Sequence, residues 1–372
     1  MNKSTLLNSK HLSLLVAALA VTVFCFSCNT KTKKEADTTS KTTDSIQSEK
    51  FPALVTDMYT ADPSAHVFDN KIYIYPSHDW DSGVPEDDLG NHFNMKDYYV
   101  FSMDSFGAPV KNHGKVLDLA DVQWAKKQMW APDAAEKDGT YYLYFPAKDS
   151  LDIFRMGVAT GPTPHGPFTA LDQPIADTYS IDPSVFKDGD DYYMYFGGIW
   201  GGQLQRWDNG TYKGDEDTYP EDDQPALTGK IAKLNEDMVT LAEKPKDVVI
   251  LDEKGKPLLT GDNDRRFFEA AWVHKYNGKY YFSYSTGDTH NIAYGIGDSP
   301  YGPFTYQGVI LKPVLGWTNH HSIVEFEGKW YIYFHDSSLS KGKTYLRSMK
   351  VAPLEYNADG TIKTIDAMVE QP

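Results

Sequence analysis

Apolar and polar residues alternate over short stretches of the chain, and one aromatic-rich stretch recurs five times. Each copy begins near a turn pair such as Asp-Gly, Asn-Gly or Asp-Asn and continues with alternating aromatic and apolar residues. The copies are FDNKIYIYPS (from Phe68), EKDGTYYLYFPA (Glu136), FKDGDDYYMYFGG (Phe186), KYNGKYYFSYS (Lys275) and FEGKWYIYFHD (Phe326). A short turn that leads into an alternating strand is typical of a β-hairpin. The pattern therefore predicts five hairpins, and no stretch indicates a long helix.

The spacing of the hairpins predicts how they are arranged. The intervals from Tyr142 to Tyr193 and from Tyr281 to Tyr331 are each about fifty residues, the size of one four-stranded propeller blade. The two longer intervals need insertions, which residues 78–97 and 213–261 supply. We expect an all-β fold, a five-bladed β-propeller whose four-stranded antiparallel blades surround a central funnel. A β-sandwich of repeated hairpins is the alternative.

A short apolar strand precedes each hairpin, and these strands begin with chemically notable residues. The five starts are TADPS (Asp62), WAPDA (Asp133), SIDPS (Asp182), FFEAAW (Glu269) and TNHHS (His320 and His321). The first strand of every propeller blade lines the central axis, so equivalent positions converge there. The repeat thus predicts that Asp62, Asp182, Glu269 and a histidine surround the funnel. The second blade has Pro132 at this level, so we expect Asp133 to point elsewhere.

Three carboxyl groups on one axis suggest acid–base chemistry. Burial and like charge raise the pKa of at least one member of such a group. Glycoside hydrolysis needs a protonated acid for the leaving oxygen and an ionised carboxylate to activate water. The ordinary alternative is that Asp-Pro-Ser only begins a strand.

These motifs resemble, in the same order, those of glycoside hydrolase family 43, whose members are five-bladed β-propeller enzymes. The resemblance extends from about Tyr59 to Ile365. The motifs that carry it are YTADPSAHVFDNKIYIYPS, MWAPDAAEKDGTYYLYFPA, SIDPSVFKDGDDYYMYFGG, RRFFEAAWVHKYNGKYYFSYS and TNHHSIVEFEGKWYIYFH.

The resemblance implies a role for each acid. Asp62 would be the general base, Glu269 the general acid, and Asp182 the residue that modulates the pKa of the acid and orients it. It also implies inversion at the anomeric carbon, which needs roughly 6.5–9.5 Å between the carboxyl groups of base and acid.

The resemblance also implies residues for a metal ion and for the sugar. A hydrated Ca²⁺ near the axis would contact His320, with His321 as the other candidate. Calcium prefers oxygen ligands, so water would supply most of them. Arg347 would bind sugar hydroxyls, unless it forms only a surface ion pair. The aromatic candidates for the sugar site, which core packing would also explain, are Trp130, Phe267 or its neighbour Phe268, and Trp200.

The resemblance favours a pentose as the substrate. We expect an inverting, exo-acting glycosidase that releases terminal β-D-xylosyl units, with α-L-arabinofuranosyl units a close second, from plant or algal oligo- or polysaccharides. The insertion at residues 78–97 would close the funnel on one side. The alternatives are an arabinanase or galactanase of the same family, a related fructan-cleaving propeller, and a non-catalytic surface propeller that only binds carbohydrate.

The N-terminal segment predicts export. Lys3 and Lys10 precede the apolar run LLVAALAVTVFCF, and Ser27-Cys28 follows it. This pattern indicates a lipoprotein signal peptide over residues 1–27, with a lipid anchor on Cys28. We expect residues 28–50 to form a polar tether and residues 51–372 the propeller catalytic domain. The protein would then be an outer-membrane or cell-surface lipoprotein, with a periplasm-facing position as the alternative.

The net charge of the chain argues against nucleic acid as a binding partner. The chain of 372 residues has a formal net charge of −16. An acidic surface of this kind disfavours nucleic acid as a partner, because phosphate binding needs clustered lysine and arginine.

Overall fold

The computed structural model describes residues 50–368. Regular structure in this range consists of twenty-two strands and three 3-10 helices, Leu119–Asp121, Trp200–Gly202 and Leu204–Arg206. Across the same residues no helix has the length and apolar character to cross a membrane. The predicted signal peptide, the Cys28 anchor and almost all of the tether lie outside the described residues.

The first three sheets follow one another along the chain, and each has four antiparallel strands. The first contains β1 (Tyr59–Phe68), β2 (Lys71–Asp79), β3 (Asp97–Met103) and β4 (Lys111–Asp118). The second contains β5 (Asp133–Lys137), β6 (Thr140–Lys148), β7 (Phe154–Gly161) and β8 (Thr169–Ala170). The third contains β9 (Ser184–Asp188), β10 (Asp191–Phe196), β13 (Lys230–Lys233) and β14 (Lys246–Asp247). The connection between β10 and β13 carries a separate pair of strands, β11 (Trp207–Asp208) and β12 (Thr211–Tyr212).

The last two sheets depart from the predicted four antiparallel strands. The fourth contains five strands, β15 (Ile250–Leu251), β16 (Phe267–Tyr276), β17 (Lys279–Thr286), β18 (Ile292–Gly297) and β19 (Phe304–Leu311). The additional strand is β15, which is short and pairs parallel to β19 at the edge of the sheet. The fifth has only β20 (His321–Phe326), β21 (Lys329–Asp336) and β22 (Ser348–Leu354). Backbone hydrogen bonds from Leu54 to Met349 and from Thr60 to Arg347 instead join the start of the described chain to this sheet.

The five sheets form a closed ring, which confirms the predicted five-bladed propeller. The innermost strands contact one another in the order β1, β5, β9, β16 and β20, and β20 contacts β1 again. The predicted hairpins join each innermost strand to the next strand of its blade. In four of them both turn residues have left-handed φ, as this type of turn requires: Asp69-Asn70, Asp138-Gly139, Asn277-Gly278 and Glu327-Gly328.

The repeated tyrosines connect neighbouring blades. One tyrosine at the same position of each of the first three hairpins donates its hydroxyl to a backbone carbonyl of the next blade: Tyr75 to Pro164, Tyr144 to Met238 at 2.8 Å and Tyr195 to Pro300 at 2.6 Å. At this position the fourth blade has Ser283, whose hydroxyl lies 2.7 Å from Nε2 of His321 in the fifth blade. A buried tyrosine ring needs a partner for its hydroxyl, and the adjacent blade provides it. The repeat in the sequence therefore reflects packing between blades.

Candidate active site

Local backbone distortions direct the acidic side chains into the funnel. Asp62 and Asp182 have φ of 49° and 57°, and Ala270, directly after Glu269, has φ of 61°. The pairing register shifts around Asp62 in β1 and on both sides of Glu269 in β16. Bulges of this kind bend a strand and redirect a side chain next to an active site. They explain why Glu269 does not align in sequence with Asp182 although both face the same space.

A cavity of about 630 Å³ opens at the centre of the ring. The structure brings Asp62, Asp182, Glu269, His320 and Arg347 together along its wall, as the sequence predicted. Another part of the wall comes from the connection between β2 and β3, namely Glu86, Asp87, Asp88, Gly90, His92 and Phe93. This is the insertion that we expected to border the funnel.

Asp62 is held as an ionised carboxylate. Its Oδ1 lies 2.9 Å from Nη1 of Arg347, and its backbone N–H donates to Nδ1 of His335 at 3.0 Å. Burial alone would raise the pKa of Asp62, but the guanidinium charge of Arg347, with a smaller electrostatic contribution from His320, outweighs it, so the pKa is lowered. A carboxylate that stays ionised in a buried site is suited to accept a proton from water.

His335 contributes as a neutral ring. Burial lowers its pKa to about 3. Because Nδ1 accepts from Asp62, Nε2 carries the proton and donates to Thr318, whose carbonyl oxygen is 3.2 Å away. His335 therefore fixes the backbone of Asp62 and does not exchange protons near neutral pH. The sequence pattern does not single out His335, because it lies at the end of β21 and not at the start of an innermost strand.

Arg347 is a buried link between two carboxylates. Its Nε and Nη2 donate to the two oxygens of Asp79 at 2.8 and 2.9 Å, while Nη1 donates to Asp62 and to Thr318. The guanidinium lies 4.9 Å from the ring centre of Phe93. Most of its donors therefore face protein acceptors, and the binding of sugar hydroxyls by Arg347 stays a prediction.

Asp79→Asn tests whether this link tunes the base. The asparagine amide has one acceptor oxygen, and its NH₂ group would face the N–H donors of Arg347. The bidentate hydrogen bonding between Arg347 and residue 79 is therefore lost. We expect kcat/KM to fall about 10- to 100-fold, the cost of breaking a buried charged hydrogen bond. We also expect the acidic limb of the pH profile to move to higher pH, because a displaced Arg347 no longer lowers the pKa of Asp62.

The direction of that shift separates positioning from direct charge effects. If Arg347 stayed in place, losing the negative charge of Asp79 would lower the pKa of Asp62 and move the acidic limb to lower pH, which contradicts the positioning role. Asp97→Asn is the matched control. Asp97 is a buried carboxylate of the same sheet that pairs with His78 at 2.6 Å, away from the catalytic wall.

Asp182 anchors the backbone next to Glu269. Its Oδ2 accepts the N–H of Ala270 at 3.0 Å, and its Oδ1 lies 3.4 Å from the N–H of Ala131. Burial raises the pKa of Asp182 to about 6, although the nearby His320 opposes this. Asp182 therefore contacts the peptide unit that carries the acid, a geometry compatible with its predicted orienting role.

Glu269 has the opposite character to Asp62. Burial, with the negative charges of Asp182 and Asp62, raises the pKa of Glu269 well above its usual value. Its side chain remains partly accessible from the cavity. The raised pKa favours the protonated form of Glu269, whose side chain faces the space in which a substrate would lie.

The structure separates the two candidate histidines. Nδ1 of His320 lies 3.7 Å from both Asp62 Oδ1 and Asp182 Oδ2, at the wall of the cavity. His321 is buried between blades against Ser283, and burial lowers its pKa well below the usual value. His321 is the first residue of β20 and pairs with Phe334 of β21, whereas His320 directly precedes the strand.

The protein groups around His320 do not form a metal cage. Among residues 50–368 no three histidine, cysteine or carboxylate side chains gather closely enough to hold an ion. The two carboxylates nearest to His320 already accept hydrogen bonds from Arg347 and Ala270. A calcium ion here would depend mainly on water ligands, so calcium at His320 stays a prediction.

Three of the four predicted contacts for the sugar lie at the cavity, and one does not. Trp130, Trp200 and Arg347 line it. Phe267 instead packs in the core, with its ring stacked on that of Phe282 at 6.3 Å. Its neighbour Phe268 lines the cavity, because the bulge at Glu269 changes which residues of β16 face inward.

Trp317 also lines the cavity and was not among the predicted residues. Its ring stacks on Trp200 with centres 5.3 Å apart, and its side chain is 41% exposed. Trp317 belongs to the loop before β20, three residues ahead of His320, and a tryptophan so close to a predicted axial residue was an available signal.

Asp133 lies away from the cavity, as expected. It is buried and accepts hydrogen bonds from the hydroxyl of Ser64 and the backbone of Val185, while Nε2 of His66 lies 2.7 Å away. Asp133 therefore joins the first three blades and is a structural residue.

Comparisons with known proteins agree with this architecture. Residues 54–362 match the family described as glycosyl hydrolases family 43. A xylosidase/arabinosidase of Bacteroides ovatus is 59% identical, over 85% of this chain and 98% of its own. A β-xylosidase of Xylanibacter ruminicola is 56% identical, over 82% of this chain and 97% of its own.

Solved structures show the same likeness. A family 43 β-xylosidase/α-arabinofuranosidase from a compost microbial metagenome, solved with xylotriose in a calcium-free form, has a TM-score of 0.85 and 63% identity, over 86% of this chain and 98% of that chain. A family 43 enzyme of Xanthomonas citri in complex with xylotriose has a TM-score of 0.82 and 56% identity, over 86% and 94% of the two chains. The chain therefore belongs to glycosyl hydrolase family 43 and is a glycosidase.

Proposed function

We propose that the protein is an inverting, exo-acting pentosidase that releases terminal β-D-xylosyl units, with α-L-arabinofuranosyl units as a second substrate. The observation that carries this proposal is the opposite displacement of two pKa values in one cavity, lowered for Asp62 and raised for Glu269. The names of the relatives, which join xylosidase with arabinosidase, support the choice of sugars.

The two groups would act on opposite sides of the scissile bond. Glu269 gives its proton to the glycosidic oxygen as the bond from that oxygen to the anomeric carbon breaks. A water molecule attacks this carbon from the opposite face and gives its proton to Asp62. The products are a free pentose of inverted configuration and a shortened chain. Proton exchange with solvent then returns Asp62 to the ionised form and Glu269 to the protonated form.

Contacts between loops support exo action. Nε2 of Gln128 donates to the carbonyl of Gly90 at 2.9 Å, which holds the insertion of the first blade against the second. A Cβ added at Gly201 would lie 3.1 Å from the carbonyl oxygen of Leu89, so the third-blade loop closely approaches the same insertion. These contacts hold the insertion at the cavity wall, and a pocket bounded in this way would favour a chain end over the middle of a chain.

A substrate panel with product stereochemistry tests the proposal. We expect the aryl β-D-xylopyranoside to be cleaved fastest, the aryl α-L-arabinofuranoside more slowly, and the aryl β-D-galactopyranoside not measurably. Proton NMR during the first turnovers of xylobiose should show α-xylose before mutarotation. Initial release of β-xylose would overturn inversion, and a preference for the galactoside would overturn the choice of pentose.

A further inference from the structure

A second cleft, of about 240 Å³, adjoins the catalytic cavity. The two spaces share the side chains of Ile199 and Trp200 as a common wall. On the catalytic side Trp200 stacks on Trp317 and meets Phe268 edge-on at 5.7 Å. The cleft therefore borders the catalytic cavity at its aromatic rim.

The cleft is built by two insertions that bind each other. The connection between β10 and β13 meets the segment between β15 and β16 through backbone hydrogen bonds. The N–H of Thr260 donates to the carbonyl of Gln224 at 2.9 Å, and that of Gly261 donates to Asp222 at 3.0 Å. The walls are thus fixed by main-chain pairing.

A guanidinium group is held in this cleft by neutral acceptors. Nε of Arg266 donates to the carbonyl of Thr260 at 2.8 Å, and Nη2 donates to Oδ1 of Asn263 at 2.8 Å. A Cβ added at Gly287 would lie 2.6 Å from the carbonyl oxygen of Asn263 and 3.1 Å from Cζ of Arg266, so the glycine permits this close packing.

The charges of the cleft favour a neutral polar ligand. Arg266 faces two carboxylates that also line the space, Asp222 and Asp288, and Asp288 lies 3.8 Å from its Nη2. One cation beside two anions disfavours phosphate or another anion. Donors and acceptors placed together suit hydroxyl groups, which need both.

Tyr219 supplies an aromatic surface beside these polar groups. Its side chain is 42% exposed and lines the cleft together with Trp200. An aromatic ring with an apolar face and a polar tip is suited to the mixed surface of a sugar. We propose that this cleft is a subsite for the leaving-group end of β-1,4-xylo-oligosaccharides longer than the disaccharide. The inference rests on the proposed function, because it extends the same substrate.

Chain-length kinetics test the subsite. For the wild-type protein we expect kcat/KM to rise from xylobiose to xylotetraose. Tyr219→Ala should lower kcat/KM about five- to tenfold for xylotetraose, mainly through KM, and leave xylobiose and an aryl β-D-xyloside unchanged. Short substrates do not reach the cleft, so they report whether the catalytic cavity is intact.

Phe106→Ala is the matched control. Phe106 is 40% exposed, similar to Tyr219, but it packs on Tyr331 away from both spaces. The inference is overturned if wild-type kcat/KM does not depend on chain length, or if Tyr219→Ala affects all substrates equally. Failure of the proposed function gives a different result, because the wild-type protein would then not cleave aryl pentosides.

Discussion

Glu269→Gln should lower kcat/KM toward xylobiose about 10²- to 10⁴-fold, the range that a general acid contributes. Glutamine keeps the size of the side chain and can donate a hydrogen bond, but its amide has no acidic proton to transfer to the leaving group. The loss should be much smaller for an aryl xyloside with a good leaving group, such as 2,4-dinitrophenolate, because that oxygen departs without protonation. Initial rates on the two substrates measure the difference.

The same variant should change the pH profile in a defined direction. Glu269 must be protonated to act, and burial with the charges of Asp182 and Asp62 raises its pKa, so wild-type activity falls as pH rises through that raised value. In Glu269→Gln the alkaline limb should disappear for the good leaving group, while the acidic limb remains. Glu86→Gln, a carboxyl change elsewhere on the cavity wall, should keep both limbs. Equal losses on good and poor leaving groups would contradict the assignment of the acid.

The ring of hairpins could be predicted because its signals are local. A turn such as Asn277-Gly278 needs left-handed φ at both residues, and few sequences tolerate it. The additional strand β15 and the three-stranded fifth blade could not be predicted. Two-residue strand pairings such as that of Ile250 with Phe304 depend on the position that an insertion takes in the folded protein. The hydrophobic pattern of the sequence does not indicate that position.

The catalytic candidates could be predicted because the propeller repeats. Equivalence of the innermost strands brought Asp62, Asp182 and Glu269 to one axis although they are far apart in sequence. Asp79 and His335 could not be found in this way, since each lies at the far end of the second strand of its blade. Their role follows from hydrogen bonds between the first and fifth blades, which the repeat does not encode.

The choice between Phe267 and Phe268 shows a further limit of sequence patterns. Alternation along a strand predicts which residues face inward only while the pairing register is constant. β16 changes register on both sides of Glu269, so counting from the hairpin places the wrong phenylalanine at the cavity. The same bulge directs Glu269 into the cavity. The sequence is therefore least informative about which phenylalanine faces inward at the position of the predicted acid itself.

Asp62→Asn should lower kcat/KM by about 10³-fold or more on substrates with good and poor leaving groups alike, because water must be activated in both cases. Asparagine suits the test structurally. Asp62 has φ of 49°, and asparagine tolerates this left-handed conformation better than most residues. Asp62→Ala would add backbone strain to the loss of the base, so Asp62→Asn isolates the chemistry. Thermal unfolding should first confirm that the variant is folded.

Two further measurements test Asp62 as the general base: the acidic limb of the pH–activity profile, and rescue of Asp62→Asn by an external nucleophile. Its pKa is lowered, because the charge of Arg347 outweighs burial, so wild-type activity should be lost as pH falls through that low value. This limb should be absent in Asp62→Asn. Azide needs no base, so added sodium azide should restore cleavage of the aryl xyloside by Asp62→Asn and form a glycosyl azide of inverted configuration. If Asp62→Asn instead lost activity only on poor leaving groups, Asp62 would assist departure of the leaving group, and the roles of Asp62 and Glu269 would have to be reassigned.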